Sequence, residues 1–475
     1  MRRHSRLASA TIAVLCAFTI AAGVTVSRLL PARLALWQMP HIAAARAPGF
    51  SGALAAATGT ASSEGAATAA GVARAVDRVV DSPVFGPRLG LLVTDLATDR
   101  VLYARNATTG FAPASTNKLA TAIAALQVLG PSATFRTTVV AGPRDSAIVL
   151  VGGGDPTLAA GAPPAPDYPQ PATLLELARR TAAALRARGR HSVRLSYDTS
   201  LYTGPGLAPG WPQSYVTTGN VSVITPLEVD QGRVTSSGAP ADNEASNGPR
   251  SANPAALAAS SFAGFLAADG IRVTGAPAEA SASPTGSVLA SVKSPPLSAI
   301  VGWMLEESNN VIAENLARHV AIATSRPATF SGGAMAVTVT LRRLGVTGEI
   351  SLTDGSGLSP DDQLSPAVLV QLIRLAADHA RLRSVLTGLP VEGFSGTLMR
   401  GGSVFGLGQP DGFGLVRAKT GNLSTVAALA GIAYARNGQL FSFAIMADKI
   451  PQSGLGTAAT AMVDLATTLA GCGCR

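Results

Sequence analysis

Strand-like patterns near both ends of the chain, with helical patterns between them, restrict the possible folds most strongly. Apolar residues 89–96 and 101–104 flank a turn at 97–99, which predicts an antiparallel hairpin. Further strands are predicted near the C-terminus, the last two joined by an Asn437-Gly438 turn: 415–420, 425–435 and 440–448. Helices are predicted at 113–129, 297–323, 329–344, 365–388 and 455–470. We therefore predict an α+β fold in which helices flank an antiparallel sheet.

A long middle segment interrupts this pattern. Residues 132–295 mix short strands and Gly/Pro-rich loops with helical stretches at 173–188 and 255–269. The chain has 475 residues, which is too long for one ordinary core. We therefore predict a main domain formed by residues 76–131 and 296–475, into which residues 132–295 are inserted as a smaller domain.

The N-terminus has the layout of an export signal. Arginines precede an uncharged apolar run from Leu7 to Ser27, and Arg28 follows it. The run is long enough to cross a bilayer as a helix, so residues 1–27 are predicted to be a cleaved signal peptide or a retained anchor. Residues 28–75, rich in small residues and proline, are predicted to be a flexible linker. Either way, we expect the bulk of the chain to lie outside the cytoplasm, either secreted or held on the outer face of the membrane.

Cysteines provide no disulfide framework. Cys16 lies in the apolar run, and Cys472 and Cys474 lie beside the C-terminus. A disulfide across one intervening residue would be strained, and two thiolates alone do not complete a structural zinc site. We expect these two cysteines to form an exposed pair in the tail.

The charge of the chain gives no support to nucleic-acid binding. The net charge is 37 − 28 = +9, of which six positive charges precede the first acidic residue, Glu64. We expect the remaining +3 to be spread without a basic cluster, and aromatic residues make up only 5% of the chain. Nucleic-acid binding would require clustered basic residues with aromatic side chains among them.

Ser115-Thr-Asn-Lys118 places a hydroxyl and an amine three residues apart at a predicted helix start. Residues with this spacing share one face of a helix, so the amine can reach the hydroxyl. A lysine acts as a base only when it is neutral, and burial or a second cation lowers its pKa. Alone, this pattern also fits a helix N-cap followed by an exposed lysine.

Two further sequence fragments follow in order and favour a catalytic role of Ser115 and Lys118 over a simple helix cap. Ser308-Asn309-Asn310 lies between two predicted helices, and Lys419-Thr420-Gly421 is predicted to end a strand. Glycine at the latter position permits close approach of a substrate backbone. A set of Ser-x-x-Lys, Ser-Asp-Asn and Lys-Thr-Gly is typical of penicillin-binding proteins and class A β-lactamases, and this chain has three such fragments in that order, with Asn309 in place of the aspartate.

On these residues the chain resembles the D-alanyl-D-alanine carboxypeptidase/endopeptidases, the low-molecular-mass class C penicillin-binding proteins. The resemblance covers about residues 75–470, and the separation of 190 positions between Lys118 and Ser308 is typical of this class. It includes further short stretches: Val151-Gly-Gly-Gly-Asp-Pro-Thr157, Ser294-Pro-Pro-Leu-Ser298, Asp354-Gly-Ser-Gly-Leu-Ser359 and Gly396-Thr-Leu398. The implied fold is a transpeptidase-like domain with an inserted domain.

The resemblance implies a serine-type D-Ala-D-Ala carboxypeptidase, a D,D-endopeptidase, or both, acting on peptidoglycan stem peptides and acylated by β-lactams. Ser115 would be the nucleophile, Lys118 its base, and Ser308 the relay of the proton to the departing amine. The substrate-binding residues would be Asn310, Lys419, Thr420, Gly421 and Asn422. The backbone N–H groups of Ser115 and Asn422 would form the oxyanion hole.

Two positions depart from the usual family pattern. Asn309 stands where the family usually has Asp, and Asn422 stands where relatives commonly have Thr. The motif needs only its outer residues, so Asn309 is expected to affect the reaction rate and not the assignment to the family. The side chain of Asn422 bears on which substrates fit.

Two alternatives remain open. A β-lactamase or esterase of the same fold would need an efficiently held deacylating water, which no sequence pattern identifies. A non-catalytic peptidoglycan-binding module would keep the cleft without turnover, but it would not need Lys118. No metal or cofactor is expected, since His191, His319 and His379 lack metal-ligand spacing. The balance between terminal and cross-link cleavage, the diamino acid of the stem peptide and the role of the insert stay undetermined.

Overall fold

The computed structural model describes most of the chain beyond the N-terminal region. The described residues are 66–144, 146–161, 169–234, 248–399, 404–406, 408–472 and 474. The predicted signal or anchor at 1–27 and most of the predicted linker lie outside these ranges. None of the helices in these ranges has the length and hydropathy needed to cross a bilayer.

The strands of the described residues belong mainly to two sheets. In chain order they are β1 (Arg88–Asp95), β2 (Val101–Arg105), β3 (Arg136–Ala141), β4 (Ala147–Val151), β5 (Ser192–Asp198), β6 (Arg272–Val273), β7 (Ala278–Glu279), β8 (Val288–Lys293), β9 (Ile350–Ser351), β10 (Gln363–Leu364), β11 (Val416–Leu423), β12 (Val426–Tyr434) and β13 (Leu440–Asp448).

The main sheet joins the two ends of the chain. Its strand order is β11-β12-β13-β1-β2, and every neighbouring pair is antiparallel. β1 pairs with β13 along its full length, from Arg88 opposite Asp448 to Asp95 opposite Phe441. The prediction of an antiparallel sheet built from distant segments is confirmed.

The helices of the described residues either flank this sheet on its two faces or lie in the predicted insert. In chain order they are α1 (Ala69–Val80), α2 (Lys118–Leu129), α3 (Leu174–Arg186), α4 (Ser214–Thr217), α5 (Pro254–Ala268), α6 (Leu297–Glu306), α7 (Asn310–Ala323), α8 (Phe330–Arg343), α9 (Pro366–Asp378), α10 (Ser384–Thr387) and α11 (Leu455–Gly471). The helix predicted over 365–388 ends at Asp378, and α10 begins only after a short 3₁₀ turn.

Side-chain alternation along the strands explains why helices lie on both faces. In β13, Ala444 and Met446 pack with α2 and α6–α10, whereas Phe443 and Ile445 pack with α1 and α11. Successive residues of a strand point to opposite faces, so a strand that is apolar throughout must be covered on both sides. The main domain therefore has a helix–sheet–helix layering with α2 in the larger helical layer.

The prediction of a flexible linker is wrong for its last residues. Residues 69–75 belong to α1, whose Val72, Val76 and Val80 are at most 2% exposed and pack against the sheet and α11. Thr68 caps the helix, because its hydroxyl accepts from the N–H of Gly71 at 3.0 Å. Valines spaced four residues apart form the buried stripe of an amphipathic helix, which the small-residue composition conceals.

The second sheet lies within the predicted insert. Its order is β6-β5-β4-β3-β8 with β7 also paired to β5, and α3 and α5 supply helices to a core drawn only from residues 139–292. Another part of the predicted insert packs elsewhere: Tyr202, Trp211 and Val221 share a cluster with residues of α7 and α8. The described residues form one compact unit, so the domain boundaries stay a prediction.

The two C-terminal cysteines do not form the expected exposed pair. Cys472 and Cys474 are joined by a disulfide, and Cys474 is buried against the core beneath α1 and α11. The Thr68 N–H donates to the carbonyl of Cys474 at 2.7 Å. This contact joins the C-terminal residues to the start of α1.

The burial of α1 predicts a stability effect that a flexible linker would not show. Val76→Ala removes apolar contacts from a closed core and should lower the free energy of unfolding by about 2 kcal/mol. Arg78→Ala, on the exposed side of the same helix, should change it by less than about 0.5 kcal/mol. Denaturant unfolding of both variants tests this. A negligible effect of Val76→Ala would contradict the packing of α1.

Candidate active site

The first motif forms a tight turn that leads directly into α2. Ser115 lies in a 3₁₀ turn, Ala114–Asn117, and Lys118 is the first residue of α2. Ala114 has a positive φ of 46°, and the Thr116 hydroxyl donates to the carbonyl of Pro113 at 2.7 Å. A strained residue held by its surroundings is common at functional sites. The turn leaves Ser115 half-buried at the N-terminal end of the helix.

Lys118 is fully buried, with its amine hydrogen-bonded in three directions. Its Nζ lies 2.8 Å from Ser115 Oγ, 2.6 Å from Asn310 Oδ1 and 2.8 Å from the carbonyl oxygen of Ser356. Burial lowers the pKa of Lys118 to about 7, although the carboxylates of Asp354 and Glu314 oppose this shift. A large fraction of these amines is therefore neutral near pH 7, as a base requires.

A loop over 354–359 supplies the carbonyl that faces Lys118. The Asp354 carboxylate accepts from the N–H groups of Gly357 at 2.6 Å and Ser359 at 2.7 Å. The Glu314 carboxylate accepts from the N–H of Ser356 at 2.8 Å. Two buried carboxylates thus fix the backbone that presents the Ser356 carbonyl to the lysine.

These carboxyl groups influence one another as well as Lys118. Burial, and then the charge of Asp354, raises the pKa of Glu314 to about 8. The same two causes raise the pKa of Asp362, which lies beneath the loop and accepts from Thr353 N at 2.6 Å. The site under Lys118 is therefore a cluster of interacting titratable groups.

The second motif forms the opposite wall between α6 and α7. Ser308 has a left-handed backbone, with φ of 57°, and its Oγ lies 2.8 Å from Lys419 Nζ. Asn310 starts α7 and bonds Lys118 through Oδ1, while its Nδ2 donates to the carbonyl of Asn220 at 2.8 Å. The Asn310 amide is thus held between the lysine and a segment of the predicted insert.

Asn309, the unusual middle residue of this motif, has two structural contacts. Its Oδ1 accepts from the N–H of Ile312 at 3.0 Å and caps α7, and its Nδ2 donates to Gln231 Oε1 at 2.7 Å. An aspartate could form the cap but has no hydrogen to donate to Gln231 Oε1. Asn309 therefore links α7 to the segment around Gln231.

The third motif lies within β11 rather than at its end. The strand continues to Leu423, so the prediction that Lys419-Thr420-Gly421 ends a strand is wrong. β11 is the edge strand of the main sheet, and Ala418 N donates to the carbonyl of Pro390 on its outer side. Backbone groups two and four residues further, at Thr420 and Asn422, point to the same edge. This edge faces the Ser115 turn.

Gly421 allows β11 to approach that turn closely. A Cβ at this position would lie 2.7 Å from the carbonyl oxygen of Pro113 and 3.1 Å from the amide nitrogen of Ser115. Thr420, on the preceding position, contacts the hydroxyl of Thr397 at 2.7 Å. Asn422 is exposed where the edge opens to solvent.

Lys419 is the second fully buried amine of the site. Burial and the positive charge of Lys118 hold the pKa of Lys419 well below its usual range, while Glu307 opposes this shift. Its Nζ also donates to the carbonyl of Thr420 at 2.9 Å. A carboxylate brought beside Lys419 would favour its charged form.

The predicted residues therefore form two hydrogen-bonded groups, each centred on a buried lysine, and Gly421 connects the two groups. Lys118 joins Ser115 to Asn310, Lys419 joins Ser308 to Thr420, and Gly421 packs against the amide of Ser115. The Trp211 indole also donates to the Asp354 carboxylate at 3.0 Å. Sequence reasoning missed the supporting contacts of Ser356, Glu314, Asn220, Trp211 and Thr397. The Asp354-Gly-Ser-Gly and Gly-Thr-Leu segments carried a signal through their resemblance, whereas Asn220 and Trp211 carried none.

The described residues contain no cluster of three side chains that could hold a metal ion. His319 is buried and stacks on Phe135, with ring centroids 3.9 Å apart, and its Nε2 lies 2.8 Å from the carbonyl oxygen of Gly154. Burial lowers the pKa of His319 to about 4. It is a packing residue.

Comparison with known proteins gives the same class as this geometry, a serine peptidase with a penicillin-binding fold. The model of the D-Ala-D-Ala carboxypeptidase 3 (S13) family matches residues 72–247 and 238–469. The chain belongs to this family.

Individual relatives extend this result. Carboxypeptidase DacB of Mycolicibacterium smegmatis is 37% identical over 395 residues, which cover 81% of this chain and 82% of that protein. The D-alanyl-D-alanine carboxypeptidase of Actinomadura sp. is 29% identical over 427 residues, covering 74% of this chain and 76% of the relative. The structure of penicillin binding protein 4 from Haemophilus influenzae superposes with a TM-score of 0.65 at 22% identity, covering 82% of this chain and 98% of the other.

The close approach of β11 to the Ser115 turn predicts the effect of adding one methyl group. Gly421→Ala should displace the edge strand from the turn and slow acylation of Ser115 by penicillin by about tenfold to a hundredfold. Gly264→Ala, in α5 where a Cβ meets no atom within 4 Å, is the matched control and should acylate normally. Stopped-flow or gel-based acylation rates test this. Normal acylation of Gly421→Ala would show that the contact is dispensable.

Proposed function

We propose that this protein hydrolyses the D-Ala-D-Ala bond at the end of peptidoglycan stem peptides, through an acyl-enzyme formed at Ser115. The observation that carries the proposal is the contact of 2.8 Å between Ser115 Oγ and the amine of Lys118, which is completely buried. A hydroxyl beside a partly neutral amine is an activated nucleophile. A D,D-endopeptidase activity on cross-linked peptides would use the same chemistry.

Acylation begins with proton transfer from Ser115 to the neutral amine of Lys118. The serine oxygen then bonds to the carbonyl carbon of the D-Ala-D-Ala peptide bond, and the carbonyl oxygen becomes negative. The N–H groups of Ser115 and Asn422 would stabilise that oxygen, because the outer edge of β11 lies against the turn. The Asn310 amide would bind the amide on the acyl side of the substrate.

Collapse of this intermediate requires a proton for the leaving amine. Ser308 would relay to that nitrogen the proton that Lys118 accepted from Ser115; its hydroxyl lies on the wall opposite Lys118, 2.8 Å from the Lys419 amine. The C–N bond then breaks, and the terminal D-amino acid departs with its new N–H. The acyl group stays on Ser115 until water hydrolyses the ester.

Recognition of the substrate's free carboxylate would fall to Lys419 and Thr420. A carboxylate beside Lys419 favours the charged form of its amine, and the Thr420 hydroxyl contacts the hydroxyl of Thr397 at 2.7 Å. A charged donor and a hydroxyl at one strand edge suit a terminal carboxylate. This pair would favour a peptide that ends at the cleaved residue.

A fast β-lactamase would need a group that holds the deacylating water beside the ester. Among the described residues no carboxylate hydrogen-bonds to Ser115 Oγ, which contacts the Lys118 amine. The Haemophilus influenzae neighbour has also been solved as a complex with a β-lactam. For this chain we propose slow deacylation, so that penicillins act as covalent inhibitors.

The enzyme is proposed to work outside the cytoplasm, where peptidoglycan lies. The basic, apolar N-terminus would direct export, with residues 7–27 either removed or kept as a membrane anchor. This part of the proposal rests on the sequence alone.

The function is tested by offering the full-length protein a fluorescent penicillin, a D-Ala-D-Ala peptide, a cross-linked muropeptide and a chromogenic β-lactam. We expect a stable adduct at Ser115 and release of D-alanine. Ser115→Ala should lower both by at least about 10³-fold. Ser424→Ala, an exposed hydroxyl just beyond the same edge strand, should keep both.

Other outcomes would overturn parts of this proposal. Rapid β-lactam turnover without D-alanine release would identify a β-lactamase. Cleavage of the cross-linked muropeptide alone would identify an endopeptidase. An unchanged adduct in Ser115→Ala would show that the nucleophile is misassigned, and no adduct or product at all would favour a binding module.

A further inference from the structure

A surface depression of the second sheet is lined almost entirely by basic and small polar residues. It has a volume of about 810 Å³. Its lining residues are Arg144, Ser146, Arg188, Gly189, Arg190, His191 and Ser192. The expectation of evenly spread charge is wrong here, because six arginines and no acidic residue lie between Arg179 and Arg194.

Two neighbouring turns of the fold bring these residues together. One turn joins β3 to β4 and carries Arg144, and the other joins α3 to β5 and carries Arg188. The N–H of Arg194 donates to the carbonyl of Ser146 at 2.7 Å, so the two turns are held side by side. On the next strand, Arg272 N donates to the carbonyl of His191 at 2.9 Å and adds another arginine beside them.

Most of these cations are not neutralised within the part of the chain that the structure describes. Arg144, Arg188, Arg194 and Arg272 are exposed and make no ion pair or side-chain hydrogen bond there. Asp145 lies outside the described residues. Like charges held together repel one another, and a bound anion relieves that repulsion.

We propose that this depression binds phosphate groups of an anionic polymer and thereby attaches the enzyme to that polymer. A guanidinium group presents several N–H donors in a fixed fork, which matches the oxygens of phosphate. Several guanidinium groups that line one depression from two turns can share the three or four oxygens of a phosphate, whereas one guanidinium group already satisfies a carboxylate. The site is separate in sequence and core from the Ser115 cleft.

The shape and composition of the depression favour a polymer over a bilayer. A membrane-binding surface combines basic residues with apolar side chains that enter the lipid. None of the large apolar side chains that the structure describes as exposed lies in 142–147, 186–194 or 270–275. A shallow surface that is lined by arginines, serines and a histidine, without a large apolar side chain, instead suits a chain of phosphates that lies across it.

The test compares two double variants of the full-length protein that lose the same charge. Arg144→Gln/Arg188→Gln changes the depression, and Arg78→Gln/Arg343→Gln changes two exposed arginines elsewhere. Binding is measured to inorganic polyphosphate, to polyglutamate, and to vesicles of phosphatidylglycerol or phosphatidylcholine, each over a range of salt concentrations. Adduct formation with fluorescent penicillin reports whether each variant is folded.

We expect the first variant to lose about tenfold in polyphosphate affinity and to show a shallower salt dependence. The second variant should bind as the wild type does, polyglutamate should bind more weakly, and all variants should form the penicillin adduct equally. Equal losses in both variants, equal affinity for polyglutamate and polyphosphate, or a loss confined to phosphatidylglycerol vesicles would overturn the proposal. These outcomes do not depend on whether the protein cleaves D-Ala-D-Ala.

Discussion

The burial of one ammonium group, that of Lys118, is the constraint on which the site depends. A buried cation is costly, and the cost falls as the amine loses its proton. Here burial lowers the pKa of Lys118 to about 7, while Asp354 and Glu314 limit the decrease. The same amine bonds Ser115, Asn310 and the Ser356 carbonyl, so its protonation and its position are set together.

The residues that hold this lysine come from distant parts of the chain. Asp354 fixes the loop that contacts Lys118, and the Trp211 indole, from the predicted insert, donates to the same carboxylate at 3.0 Å. Asn220, also from that segment, accepts from Asn310. The segment around 202–233 thus packs against the cleft of the main domain, although in sequence it is part of the predicted insert. This arrangement explains why the described chain forms one compact unit despite its two sheets.

The sequence predicted the features that local patterns determine. Hairpins, helix positions and the order of the three motifs follow from residue periodicity and spacing, and the sheet and helices lie close to the expected ranges. Helix α1 was missed because its alanines and glycine resemble a linker, although Val72, Val76 and Val80 already had helical spacing. The contacts of Trp211, Asn220 and Glu314 arise only when distant segments pack, so no local pattern could predict them. The arginines between 179 and 194 are visible in the sequence, but the net charge of the whole chain does not show that they are clustered.

The most direct test of this account is an NMR titration of the lysine side chains. The chain has only four lysines: Lys118, Lys293, Lys419 and Lys449. Protein labelled with ¹³C at lysine Cε therefore gives few signals, and Lys118→Ala and Lys419→Ala assign the two buried ones. The account predicts that Lys118 titrates with a pKa near 7, while the exposed Lys293 and Lys449 serve as references. A Lys118 that titrates near the ordinary lysine value of about 10.4 would contradict it.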